Sequence, residues 1–128
     1  MRIPFLLLAE DDEDDRYLFI QAIGSVDPSI IYAMAANGRE LLALLENDFF
    51  SLPDYVILDL NMPLMNGFEC LSVIKSSPLL RSCLVIVYST TMDQQTEQQL
   101  LAAGAFACFI KPAAPSELAD VLRRLLGY

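Results

Sequence analysis

Four groups of polar residues could carry chemistry, and each stands directly after an apolar run: Glu10-Asp11-Asp12, Asp59, Ser89-Thr90-Thr91 and Lys111. Carboxylates dominate the set. Two of them about 4 Å apart repel by about 1 kcal/mol in water and by about 4 kcal/mol at an effective dielectric of about 20, so a crevice that gathers three or four calls for a cation. A hard divalent ion suits them, and Mg²⁺ suits best, because it takes one or two carboxylates and completes its octahedron with water and phosphate oxygens. Beside such an ion Asp59 is a candidate nucleophile, since carboxylates accept phosphoryl groups to form aspartyl phosphates. That transfer needs in-line positioning and neutralisation of three equatorial oxygens. The metal would hold one oxygen, Lys111 a second, and the Ser89 hydroxyl with nearby backbone N–H groups the third.

Each of these residues also has a plainer reading. An aspartate in the position of Asp59 can be a strand-ending turn residue, and Ser89 and Thr90 can simply cap the helix that follows. Glu13, Asp14 and Asp15 are read as charges that favour a helix N-terminus, worth roughly 0.3 to 1 kcal/mol apiece. Glu10 and Asp11 resist that reading because they directly prolong a buried strand. Lys111 departs from an ordinary surface lysine because it ends the run Phe109-Ile110 and is followed by Pro112.

The elements that must position these residues can be read from the alternation of apolar runs and amphipathic stretches. The central one is Tyr55-Val-Ile-Leu58, an unbroken β-branched and aromatic run of the kind buried on both faces of a parallel sheet. It meets Asp59, and then Pro63 and Asn66-Gly67 stop the strand and start a turn. Further strands are expected over residues 4–9, 30–34, 84–88 and 105–110. A first helix is expected over 14–25, with Phe19, Ala22, Ile23 and Val26 on one face. Asn37 with Glu40, and Asn66 with Glu69, have capping-box spacing and open the second and third helices, the third ending before Pro78. Thr91-Met-Asp-Gln94 can cap a fourth helix that stops at Gly104. Gln94, Gln95, Glu97, Gln98 and Gln99 leave it a thin apolar stripe and a loose seat on the core. Pro115 starts a fifth, with Leu118, Val121, Leu122 and Leu125 on one face. Regular βα alternation with short connections predicts a parallel sheet covered on both sides, whose strand ends share one lip.

Composition narrows the function. With 128 residues the chain is about one domain, and the sequence has no histidine, which excludes imidazole bases, His-metal sites and Ser-His-Asp triads. Its net charge of −9 argues against a nucleic-acid surface. Cys70, Cys83 and Cys108 are odd in number and lack C-x-x-C spacing, so buried thiols in a reducing compartment are expected. No apolar run reaches the roughly 18 residues of a membrane span and residues 1–5 lack a signal peptide's pattern, so a cytoplasmic protein with no membrane association is expected.

Taken together, Glu10-Asp11, Asp59 in Asp-Leu-Asn-Met-Pro followed by Asn66-Gly67, Ser89-Thr90, Gly104-Ala105 and Lys111-Pro112 resemble the receiver domain of bacterial two-component response regulators. The similarity spans nearly the whole chain, and its motifs in this order are specific where each alone is weak. The resemblance implies an α/β, flavodoxin-like, doubly wound sheet of five parallel strands in order 2-1-3-4-5 with five flanking helices. It implies phosphorylation of Asp59 by the phosphohistidine of a sensor histidine kinase or phosphotransfer protein. It further implies Mg²⁺ held by Asp11, Asp59 and the backbone carbonyl of Asn61, with Glu10 acting mainly through water, and contacts from Lys111 and Ser89 to the phosphoryl group. Such a chain accepts a phosphoryl group and is not a turnover enzyme.

Two positions depart from the family pattern. Three residues before the lysine the family usually has Tyr or Phe, and here stands Cys108; Phe109 is one residue off and by strand alternation faces the other side of the sheet. Ser89 stands where Thr is commoner. Residues 1–128 are expected to be one receiver domain without an output domain, so the signal would leave through a surface, the face of the fourth helix, last strand and fifth helix, to a downstream protein. Leu125, Leu126 and Tyr128 could serve a homodimer contact or only the core. A flavin carrier of the same fold is disfavoured because Glu10-Asp11-Asp12 would repel the flavin phosphate. An aspartate-nucleophile phosphatase is disfavoured because Asn61 stands where a second acid would be. The remaining alternative is a phosphorylation-independent receiver-like interaction module.

Overall fold

The computed structural model describes residues 2–128. Ten elements alternate along the chain: β1 (Phe5–Ala9), α1 (Glu13–Val26), β2 (Ile31–Ala35), α2 (Gly38–Glu46), β3 (Tyr55–Asp59), α3 (Gly67–Ser76), β4 (Leu84–Ser89), α4 (Gln94–Ala102), β5 (Ala107–Ile110) and α5 (Pro115–Leu126). The strands form one parallel sheet in the order β2-β1-β3-β4-β5. This is the predicted arrangement. Among the described residues no helix is long and apolar enough to cross a membrane.

The sheet divides the core in two, because side chains alternate between its faces and parallel neighbours in register point the same way. Leu7, Val56, Leu58, Val85 and Val87 face α2, α3 and α4, where they meet Leu41, Leu71, Ile74 and Leu100. Leu6, Leu8, Ile57, Ile86 and Tyr88 face α1 and α5, where they meet Phe19, Ile23, Leu118 and Leu122. Cys108 packs on the first side and Phe109 on the second, as strand alternation requires.

The helix starts follow the predicted logic with two corrections, and one strand start is also corrected. Asn66 closes a full capping box, its side chain accepting from the Glu69 N–H at 2.9 Å while Glu69 accepts from the Asn66 N–H at 3.1 Å. At Asn37 only the bond from the Glu40 N–H to the Asn37 side chain forms, at 2.9 Å. The cap of α4 is Asp93 and not Thr91; the Asp93 carboxylate accepts from the Thr96 N–H at 2.7 Å and better satisfies a free backbone donor at the positive end of the helix. The last strand begins at Ala107 and not at 105, because the chain turns first through Gly104, whose φ of 110° suits glycine alone, and the Ala105 N–H is still bonded to Leu100 O.

Helix α4 is held by little. Leu100 is its one fully buried side chain, and Leu101 on the next position is 43% exposed. Leu125 and Leu126 pack into the α1/α5 side of the core, and the Tyr128 hydroxyl donates to Asp27 at 2.9 Å, so all three C-terminal candidates for a dimer contact are engaged within the chain.

Candidate functional site

The register of the parallel strands decides which residues meet at the C-terminal lip. Ala9 lies level with Leu58, Val87 and Cys108; one row further, Asp59 is level with Tyr88 and Phe109, and Glu10 extends β1 to the same height. Glu10, Asp59 and Tyr88 therefore rise on the α1/α5 side of the sheet. The following row carries Ser89 opposite Ile110 and turns toward α4. Glu10, Asp11 and Asp59 each bring a carboxylate oxygen within 4.8 Å of the other two.

Glu10 is fixed more tightly than its neighbours. It is 1% exposed, its N–H donates to Ala35 O at 3.1 Å, and its carbonyl accepts from Arg16 Nε at 2.8 Å. Its two carboxylate oxygens accept from the Tyr88 hydroxyl at 2.6 Å and from the Asp12 N–H at 3.1 Å. Asp12 itself turns to cap α1, accepting from the Asp14 N–H at 3.0 Å, which removes it from the acidic cluster.

Asp59 is half-buried and accepts from the Asn61 N–H at 3.0 Å. Gly67 packs directly against it: a Cβ there would lie 2.8 Å from Asp59 O and 2.9 Å from Leu60 Cα. The Gly67 N–H donates to Leu60 O and the Leu60 N–H to Tyr88 O, so the turn after Asp59 is pinned from both α3 and β4. In that turn Leu64 takes a φ of 68°, a left-handed conformation rare for a leucine. The Asn61 side chain donates through Nδ2 to Ser89 Oγ at 3.0 Å, and Ser89 also accepts from the Thr91 N–H at 3.4 Å. Lys111 forms a salt bridge with Asp15 of α1, and the lysine side chain is only 12% exposed.

The electrostatics reflect this crowding. Burial pushes the Glu10 carboxyl up to about 7, aided by Asp59 and Asp15 and opposed by the bonds from Tyr88 and Asp12. Burial likewise raises Asp59, together with the nearby Asp11, against the Asn61 N–H and Lys111, which lower it. Tyr88 is held protonated by its burial and by the charge of Glu10. A group of carboxylates this crowded, made only of oxygen donors and partly open to solvent at Asp11, fits a hard divalent cation.

Of the residues predicted from sequence, the structure brings together Glu10, Asp11 and Asp59, and sets Asn61, Ser89 and Lys111 around them, the last two held by other partners. Thr90 and Thr91 are exposed, and the groove beside Asn61 is lined by Leu60, Thr91, Met92, Asp93 and Thr96. Two participants went unnoticed in the sequence. Asp15, read only as a helix-start charge, is the partner of Lys111. Tyr88 ends the expected strand over 84–88, and its hydroxyl reaches Glu10. The signal for Tyr88 was available: it is the one polar-tipped side chain in the run Leu-Val-Ile-Val-Tyr, next to a candidate hydroxyl.

The response regulator receiver domain model matches residues 6–123. Over 126 residues the chain is 30% identical to a protein-glutamate methylesterase/protein-glutamine glutaminase of Clostridium acetobutylicum, a match that covers 94% of this chain and 35% of that protein. It spans 11% of the length of another curated relative, so the likeness is confined to a part of these longer proteins. Among solved structures, the phosphorylated cyanobacterial phytochrome response regulator RcpA superposes with a TM-score of 0.86 at 27% identity, covering 97% of this chain and 91% of that one. The chemotaxis response regulator CheY4 of Vibrio cholerae gives 0.82 at 26% identity, covering 97% and 99%.

Proposed function

The chain belongs to the response regulator receiver domain family, and from that premise we propose that it accepts a phosphoryl group from the phosphohistidine of a sensor histidine kinase or phosphotransfer protein onto Asp59. The observation that carries the reading is the approach of Glu10, Asp11 and Asp59 to within 4.8 Å at the lip of the sheet. In the step, an Asp59 carboxylate oxygen attacks phosphorus and an O–P bond forms. The P–N bond to the donor imidazole breaks, and its electron pair stays on the ring nitrogen. Asp11, Asp59 and Asn61, with Glu10 behind them, would hold Mg²⁺, which when bound neutralises charge on the phosphoryl oxygens.

The other residues must rearrange to take part. Lys111 leaves Asp15 and turns its ammonium toward a phosphoryl oxygen, drawn by the charge there as it is already by that of Asp59. Ser89 gives up the Asn61 side chain and offers its hydroxyl proton to another oxygen. Because the accepting carboxylate is itself modified, the protein acts as an acceptor and not as a turnover enzyme. The described residues 2–128 act as one receiver unit. The face of α4, β5 and α5 passes the change to a protein partner; Leu101, Phe106 and Ile110 are 43%, 48% and 55% exposed there and supply the apolar contact such a partner needs.

Intact-mass spectrometry after incubation with acetyl phosphate and Mg²⁺ tests the reading. A single phosphoryl adduct is expected, absent from Asp59→Asn and absent when EDTA is added. A folded, Mg²⁺-binding protein that forms no adduct would sink it and favour a phosphorylation-independent interaction module.

A further inference from the structure

In this chain the aromatic residues nearest the acidic cluster lie on the opposite side of the sheet from Cys108. Tyr88 is 2% exposed. Its ring is clamped between Phe19 of α1, with centroids 5.0 Å apart, and Phe109 of β5, stacked at 5.5 Å with 21° between the planes. Neither neighbour offers a polar atom, so the ring is fixed by packing and its hydroxyl is aimed along one direction. That direction ends on the Glu10 carboxylate, 2.6 Å away and buried.

We propose that Tyr88 is a positioning residue for the cation site, holding the Glu10 carboxylate in the orientation from which it serves a bound divalent ion. The proposal rests on the receiver reading above. A carboxylate buried to 1% exposure needs donors to stay where it is, and Glu10 has two: the Asp12 N–H, on the loop that also carries Asp11, and the Tyr88 hydroxyl. The loop donor moves with the loop; the tyrosine is anchored in the core. Each carboxylate oxygen accepts about two hydrogen bonds, so both donors leave a lone pair on each oxygen for the ion or for its water. With an ion bound, Glu10 would be a carboxylate near a metal oriented by a further hydrogen bond, an arrangement whose loss typically weakens metal binding about 10- to 100-fold.

The same strand tip then controls both sides of the site. Tyr88 and Ser89 are consecutive and face opposite ways, one bonded to Glu10 and the other to Asn61. The Tyr88 carbonyl between them accepts from the Leu60 N–H at 2.8 Å, directly after Asp59.

The test is Tyr88→Phe, which keeps the ring and removes only the hydroxyl. Calorimetric Mg²⁺ titration of the full chain should show about tenfold weaker binding, and the Mg²⁺ concentration for half-maximal adduct formation should rise in parallel, with the yield restored at saturating Mg²⁺. Near-UV circular dichroism and the melting temperature in Mg²⁺ report whether the aromatic cluster survives. In a Glu10→Gln background, Tyr88→Phe should cause no further loss of Mg²⁺ affinity, which separates positioning from a general packing role. Mg²⁺ affinity within twofold of the parent would overturn the proposal, and so would an equal loss in the Glu10→Gln background. If the parent binds Mg²⁺ through Glu10 and Tyr88 as described yet forms no adduct on Asp59, the receiver reading fails and the positioning role stands. If the parent binds no Mg²⁺, both fall.

Discussion

Competition between protons and divalent cations for Glu10 should be visible in the stability of the protein. The perturbation is a change of pH from 4.5 to 7.5 in EDTA. Burial raises the Glu10 carboxyl from 4.5 to about 7 in the folded chain, with Asp59 and Asp15 contributing and the donors Tyr88 and Asp12 opposing. A raised carboxyl means that the folded state holds the proton more tightly than the unfolded one. The stabilising proton is therefore fully present below about 4.5 and is lost as pH rises to about 7, after which the contribution is flat. A difference of about 2.5 pH units at about 1.4 kcal/mol each gives a loss on the order of 3 kcal/mol across that window. Urea unfolding of the parent and of Glu10→Gln at the two pH values reads Glu10 together with its effect on the neighbouring Asp59, because the remaining carboxylates are common to both chains. Relative to Glu10→Gln, the parent should lose on the order of 3 kcal/mol between pH 4.5 and 7.5. If the cluster holds Mg²⁺ as proposed, saturating Mg²⁺ should recover the loss at pH 7.5, since an ion that binds only the folded, ionised cluster stabilises it. Matching pH profiles of the two chains to within about 0.5 kcal/mol would refute the reasoning.

Other substitutions probe the supports of the site. Gly67→Ala drives a Cβ to 2.8 Å from Asp59 O, so it should destabilise by about 1 to 3 kcal/mol and slow adduct formation; unchanged urea midpoint and rate would show that the turn yields freely. Asn66→Ala removes the capping box of α3 and should cost about 1 kcal/mol in urea unfolding without altering Mg²⁺ affinity. Asp15→Ala deprives Lys111 of its partner, which should cost about 1 kcal/mol at low salt and raise the rate of adduct formation up to about fivefold, since the lysine no longer has to leave. A slower rate for Asp15→Ala would instead mean that Asp15 helps to aim the lysine.

The strands and their polar ends were legible in the sequence because burial on both faces demands continuous apolar runs, and Asp59, Ser89 and Lys111 interrupt them. Period-two alternation also separated Cys108 from Phe109 correctly. What alternation cannot supply is register across strands that are distant in sequence. The Tyr88–Glu10 bond joins residues 78 apart and the Asn61–Ser89 bond residues 28 apart. Both depend on how far β1, β3 and β4 slide past one another. Asp15 was misread for a related reason: its spacing fits a helix start equally well whether or not a lysine from the far edge of the sheet leans over it. The capping errors were local, since Thr91 and Asp93 both satisfy the pattern and only the loop's path selects the second.

The shallow anchoring of α4 sets the energy scale on which the protein can respond. A single buried leucine such as Leu100 contributes roughly 1.5 to 3 kcal/mol, so if that contact dominates, a displaced helix lies only that far above the resting one. Between about 0.6% and 7% of molecules would then hold α4 displaced in the unmodified chain. Inverting a 1:99 ratio takes about 5.5 kcal/mol of preferential binding. Under the proposed function, smaller preferences would yield a graded response, in which the occupancy of the displaced form follows the fraction of Asp59 that is modified. Relaxation-dispersion NMR of the unmodified chain should detect this exchange in residues 94–103 and find it enhanced by Leu100→Ala, whereas a flat profile there would make the helix a fixed part of the surface.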